Sequence, residues 1–317
     1  MRDLDRNRAT TYRKNNNQEL VLEEMNTSLV EKEIKLISAF SKPQFPIIFI
    51  VGAQRSGTTV LMQSLIQYFQ LSYPNNFIAR YWKAPYIGAM LFKNLSSNLD
   101  ENTLDLSSDL GYTKGLSGPH EFGYFWKRWF PVRSWEKKEN ELIDYSLLEK
   151  ELSAWETVEN TPLIFKNIID VSFNIQKLSE IFPNAFFIHI KRQPEFVVQS
   201  TYLSRIKFFN DEKEWLGLEP PEYEALKRLD TFDQISAQVF YSRRFIENAL
   251  LKKKNNSLTI NYEDFISNSE GIISEIGYRL KLKTRNIHLP QLINTNKIKL
   301  PEEKFNLIRA NCKKYFN

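Results

Sequence analysis

Residues 47–59 join a strand-like run, a glycine loop and a helix start, a combination suited to binding anions. Isoleucine, phenylalanine and valine fill residues 47–51, and Gly52 ends the run. Arg55, Ser56 and Gly57 then lead into Thr58 and Thr59, after which Val60, Leu61, Leu65 and Phe69 recur as in a helix. The first N–H groups of a helix have no partner inside it, and its dipole puts positive potential at the same end. The junction is therefore a cradle for a phosphorylated or sulfated ligand. Gly52 and Gly57 keep the spacing of the nucleotide loop G-x-x-x-x-G-K-[ST]. Thr58 stands where that loop has lysine, and the cation moves inside the loop to Arg55.

A second junction repeats the layout. Residues 185–190 read as a buried strand, Arg192 follows it, Pro194 suits a first helical turn, and Ser200 lies eight residues after Arg192. The strand tips are cationic: residues 163–165 end at Lys166, and residues 185–190 run into Lys191 and Arg192. A Mg²⁺-dependent P-loop kinase or NTPase needs a carboxylate at a neighbouring strand end instead. Glu263 and Asp264, after a late strand at 258–261, are the candidates for that alternative.

With both junctions in hand, residues 44–280 resemble the sulfotransferases that use 3′-phosphoadenosine 5′-phosphosulfate (PAPS). Their first loop, of the type RSGTT, holds the 5′-phosphosulfate. Their second motif, Arg-x-Pro followed by a serine eight residues after the arginine, holds the 3′-phosphate. The segment from Ile260 to Phe265 is similar to the family's YED segment. The resemblance implies a P-loop-like three-layer α/β fold, PAPS as co-substrate with PAP (3′-phosphoadenosine 5′-phosphate) as product, and no metal. It implies Arg55, Ser56, Gly57, Thr58 and Thr59 at the phosphosulfate, Arg192 and Ser200 at the 3′-phosphate, Tyr262 near the adenine, and Lys166 at the sulfate. The basic segment 294–299 is expected to close over the nucleotide. A non-catalytic PAP-binding protein is the third reading, beside sulfotransferase and kinase.

The base departs from the family's commonest pattern. Phenol and steroid enzymes have Lys-Thr-His where this chain has Lys166, Asn167 and Ile168. That points to relatives acting on carbohydrates or tyrosine, in which glutamate is the base. Glu121 and His120 are the candidates, because Gly118 and Pro119 make a turn able to aim them at a cleft. The acceptor is expected to be a hydroxyl, with a saccharide favoured. Phe122, Phe125, Trp126 and Trp129 recur at helical spacing, which predicts a packed face. The competing reading is a ring platform for a sugar, with Tyr124, Arg128, Arg133 and Trp135 beside it. Lys83 could contact an anionic acceptor or cap a surface, His189 reads as a core residue, and His288 carries no argument.

These residues need a frame, and the apolar runs supply it. Residues 47–51, 163–165, 185–190 and 258–261 are continuous rather than alternating, as in parallel strands buried on both faces. Helical stretches separate them, giving an α/β fold with a central parallel sheet flanked by helices. One domain is expected over residues 42–317, with 70–160 as a helical, acceptor-side insertion over the sheet's carboxyl edge, where ligands of such sheets bind. Residues 1–41 read as a polar segment, loosely ordered to residue 19, then a helix opened by a capping box from Ser28 to Glu31. The chain has 317 residues, 42% of them hydrophobic, so it can bury a core. Its net charge of +5 suits a small polyanion, and scattered basic residues argue against nucleic acid. Lys252, Lys253 and Lys254 read as a solvated helix end. Cys312 is alone, which excludes a disulfide framework and a thiolate metal cluster. No apolar run is long enough to span a membrane, so a cytoplasmic location is expected, unlike the anchored Golgi enzymes.

Overall fold

The structure, a computed structural model, describes residues 7–96, 107–131, 143–285, 287 and 291–316. Arg133, Trp135 and His288 lie outside the described residues. The central sheet has four parallel strands, β1 (Ile48–Val51), β4 (Ile164–Lys166), β5 (Phe186–Lys191) and β6 (Ser257–Asn261), in the order β4-β1-β5-β6. A small antiparallel hairpin, β2 (Ser108–Asp109) and β3 (Tyr112–Thr113), stands apart from it. Between β1 and β4 come α2 (Thr58–Tyr68), α3 (Pro85–Ser96), the hairpin, α4 (Gly123–Trp129) and α5 (Tyr145–Glu159). Next in the chain are α6 (Ile175–Ile181), α7 (Pro194–Phe209), α8 (Tyr223–Leu226) and α9 (Thr231–Leu251). Then follow α10 (Tyr262–Ser267), α11 (Ser269–Leu280) and α12 (Glu302–Phe316).

Successive strand residues point to opposite faces, and each face has its own core. Phe49 stacks with Phe165 and with Phe187 on one side, and Phe49 and Phe165 meet Trp126 of α4 edge-on. Ile48, Ile50, Ile164, Ile188 and Ile190 bury against Leu61 and Leu65 of α2 and Ile273 and Ile276 of α11 on the other. Two apolar faces explain why the β1, β4 and β5 runs are continuous. Strand β6, at the sheet edge, buries Ile260 but exposes Thr259 and Asn261, so the expected two-faced burial does not extend to it. The segment between α2 and β4 thus does more than overhang the carboxyl edge, because α4 and α5 form one of the covering layers.

The amino-terminal helix starts earlier than its sequence suggests. Helix α1 runs Asn16–Leu36, and the side chain of Asn15 caps it by accepting from the N–H groups of Asn17 and Gln18. Ser28 is mid-helix, where its hydroxyl donates to the Met25 carbonyl, so the expected capping box is not a boundary. Tertiary contacts override the local signal. Buried Asn26 binds the carbonyl of Arg80 and the N–H of Lys83, and buried Glu33 accepts from the N–H groups of Tyr86 and Ile87, which open α3.

Candidate active site

Four strand tips converge at the carboxyl edge, and each delivers a polar residue. The loop after β1 turns at Arg55 (φ 63°) and Gly57 (φ 104°), both in the left-handed region. A Cβ on Gly57 would stand 2.6 Å from the Tyr262 ring, so glycine is required there by conformation and by space. Helix α2 begins immediately after with no side-chain cap, leaving its first N–H groups to the cleft. The Ser56 hydroxyl is not in the cleft; it donates to the Ala53 carbonyl and braces the loop.

The two arginine junctions meet. Arg55 Nε donates to Ser200 Oγ at 3.0 Å, and Arg192 Nη1 donates to the Arg55 carbonyl at 3.2 Å. Burial first, and the neighbouring Arg192 second, hold the Arg55 guanidinium below the usual arginine range. Burial does the same to Arg192. Two crowded, partly desolvated guanidiniums at a helix start make a pocket that an anion would relieve. Arg192 is held ready by Thr295 Oγ1 (3.1 Å), Asn296 Oδ1 (2.7 Å) and the Tyr262 ring, whose centroid is 4.6 Å away.

A second cluster lies at the other end of the loop. Lys166, 4% exposed, donates to Thr59 Oγ1 at 2.9 Å and pairs with Glu121 Oε1 at 2.6 Å. Glu121 and His120 sit on the turn that enters α4. The Phe122 N–H donates to His120 Nδ1 at 2.9 Å, which puts the imidazole proton on Nε2. Burial lowers the His120 pKa to about 4, so at neutral pH the ring is an uncharged donor with its one basic nitrogen already occupied.

A sequence profile described as the sulfotransferase family matches residues 46–286. The chain belongs to the sulfotransferase family. Two proteins described as omega-hydroxy-beta-dihydromenaquinone-9 sulfotransferase Stf3, from Mycobacterium bovis and Mycobacterium tuberculosis, are each 27% identical to it over 269 residues. The match covers 78% of this chain and 66% of theirs, so the chain spans about two thirds of their length. The crystal structure of sulfotransferase STF9 from Mycobacterium avium shares the fold, with a TM-score of 0.53 at 15% identity, covering 92% of this chain and 81% of that one.

Other candidate residues of this sulfotransferase-family chain are mostly engaged within the fold. Tyr262 is 3% exposed, with its ring against Gly57 and Arg192 and its hydroxyl 2.9 Å from Thr295 Oγ1, so it braces the arginine pocket instead of offering an open face. Phe122, Phe125, Trp126 and Trp129 are all buried, so the packed face holds and these rings are not a platform. Arg128 is bound to buried Glu151 and to the Trp82 carbonyl. Lys83 pairs with Glu23 and Thr27 on the surface of α1. Glu263 accepts from the Gln193 N–H and from Asn296, and Asp264 accepts from Asn261. His189 is buried in β5 with its pKa lowered by burial to about 3. Among the described residues no helix is long and apolar enough to cross a membrane.

Sequence reasoning missed the hairpin. Leu110 and Gly111 both have positive φ and form its two-residue turn. A Cβ on Gly111 would lie 3.7 Å from Lys166 Nζ, 3.8 Å from Thr59 Oγ1 and 3.9 Å from Glu121 Oε1, so the hairpin tip roofs the second cluster. Asp109 ties it to Tyr12 and Lys207, and Tyr12, Tyr112 and Phe208 pack beside it. The Asp-Leu-Gly-Tyr run was the available signal, since a glycine in the second turn position favours such a hairpin.

Proposed function

We propose that the chain transfers a sulfuryl group from PAPS to an acceptor alcohol. The observation that carries this reading is the Arg55–Ser200–Arg192 junction, a double-arginine pocket one loop away from Lys166. The Arg192–Ser200 side of this pocket and the Lys166 side of the loop, with Arg55 between them, match the two charged ends of PAPS. A Mg²⁺-nucleotide site would instead need free carboxylates at the strand tips. Arg192 and Ser200 would hold the 3′-phosphate. Arg55 and the α2 N–H groups at Thr58 and Thr59 would hold the 5′-phosphosulfate.

Glu121 is the base of this reading, and His120 a neutral donor beside it. The acceptor oxygen attacks sulfur while its proton passes to the Glu121 carboxylate. The new O–S bond forms as the bond from sulfur to the 5′-phosphate oxygen breaks, and PAP leaves with that electron pair. Lys166 and the α2 N–H groups stabilise the charge gathering on the departing oxygen, the electrostatic term that usually dominates such catalysis.

For the acceptor we favour an alcohol on an apolar molecule. Phe122, Phe125, Trp126 and Trp129, expected as a packed face with a sugar platform as the competing reading, are core. The rings at the roof are Tyr12, Tyr112 and Phe208, and the Stf3 relatives are named for a hydroxylated menaquinone. Incubation with radiolabelled PAPS and a panel of farnesol, naphthol and a disaccharide tests this. Label on farnesol supports the reading in full, and label on the disaccharide alone returns the acceptor to the saccharides. PAP binding without transfer to any acceptor favours the storage protein, and ATP turnover with Mg²⁺ the kinase.

A further inference from the structure

Asn167 follows Lys166 at the end of β4, is 2% exposed and has both polar atoms engaged. Its Nδ2 donates to the Glu121 carbonyl and to Asp170 Oδ2, each at 3.1 Å. Its Oδ1 accepts from the N–H groups of Asp170 (2.7 Å) and Val171 (3.4 Å). One amide therefore ties the turn that carries Glu121 to the strand that carries Lys166. The turn is also held from below, where the His120 N–H donates to the Pro74 carbonyl at 2.7 Å. Neither that bond nor the His120–Phe122 contact refers Glu121 to β4.

We propose that Asn167 is a positioning residue of the transfer reaction, fixing the Glu121 carboxylate against the Lys166 ammonium by holding the Glu121 main chain from the neighbouring strand position. The inference rests on the reading of Glu121 as base. The chemistry of the amide is specific. The position needs two donated and two accepted hydrogen bonds in a buried site, and asparagine supplies both kinds from one planar group. Aspartate has the same shape but accepts alone, and it would leave the Glu121 carbonyl without its donor while facing the Asp170 carboxylate. Burial has already raised Asp170 to about 6, so it is mostly ionised at pH 7.5 and acts as the acceptor that aims the amide at Glu121.

The test uses Asn167→Asp and the swap Asn167→Asp with Asp170→Asn, each beside wild type. Asn167→Asp should lower kcat for the best acceptor of the panel about 100-fold, the usual consequence of a small misplacement of a reacting group, while acceptor KM and PAP affinity stay unchanged. The swap restores a donor–acceptor pair between the two positions, so it should recover the thermal midpoint but not kcat. Hydrogen exchange of the 117–122 amides should be faster than wild type in both variants. Normal kcat in Asn167→Asp, recovered kcat in the swap, parallel loss of PAP affinity, or unchanged exchange at 117–122 each overturns the proposal. Wild type that moves no label refutes the reaction itself, and the exchange measurement still judges the positioning.

Discussion

Replacing Glu121 by glutamine separates its catalytic role from its structural one. Glutamine fills the same space and still accepts from Lys166, but it does not take a proton. The charge removed belongs to an ion pair of 2.6 Å between a Glu121 side chain 35% exposed and a Lys166 side chain 5% exposed, and the hydrogen bond to Lys166 is kept. With the glutamate end open to water and the Lys166 hydrogen bond retained, the loss to folding should be about 1 kcal/mol, so the thermal midpoint should move by no more than about 4 °C. Loss of a general base costs about 10²–10⁴ in rate. That is about 3–5 kcal/mol on the barrier, several times the stability effect, so the two roles are cleanly distinguishable. Rapid-quench single turnover of the PAPS-loaded enzyme with farnesol reads the chemical step, and PAP titration reports the intact nucleotide site. Turnover within about threefold of wild type would remove Glu121 from the mechanism, since a true base cannot be lost so lightly. Equal losses of turnover and PAP affinity would make it a structural residue.

Other substitutions probe the remaining parts. Arg192→Ala removes a charged partner of the 3′-phosphate, worth about 1.5–3 kcal/mol, so PAP affinity measured by calorimetry should fall roughly 10- to 150-fold while 5′-AMP affinity barely changes. Equal losses would refute the 3′-phosphate assignment. Gly57→Ala should abolish PAP binding in a folded protein, because the new methyl would face both a φ of 104° and the Tyr262 ring at 2.6 Å; retained affinity would show that the loop adapts. Burial raises Glu33 from 4.5 to about 7 in the folded state, so the stability it contributes is full below pH 4.5 and is lost as pH rises through 7. The thermal midpoint should fall between pH 5 and 8, and Glu33→Gln, whose one amide oxygen can still accept from one of the two α3 N–H groups, should flatten that fall at a lower overall midpoint. An unchanged slope would mean that the carboxyl is not protonated in the native state.

What the sequence revealed and what it hid follow from the range of the interactions. Strand runs, glycine turns and the Arg–Ser spacing are local, so the sheet, both arginine junctions and the buried aromatic face were legible. The partners of Arg192 were not. Thr295 and Asn296 lie more than a hundred residues along the chain, and no local pattern announces that they fold back on it. Asn167 looked like a mere departure from Lys-Thr-His, because its bond to the Glu121 carbonyl spans 46 residues and depends on where the α4 turn comes to rest. The start of α1 was misjudged for a related reason. Buried Asn26 and Glu33 stabilise a longer helix than the Ser28 signal allows.

The central claim is that two cationic pockets grip opposite ends of one nucleotide. Calorimetric titration of PAP into the wild-type protein, with and without excess ATP and Mg²⁺, addresses it most directly. The account predicts saturable one-site binding that ATP·Mg²⁺ does not displace. Absence of binding at millimolar PAP, or full displacement by ATP·Mg²⁺, would contradict it.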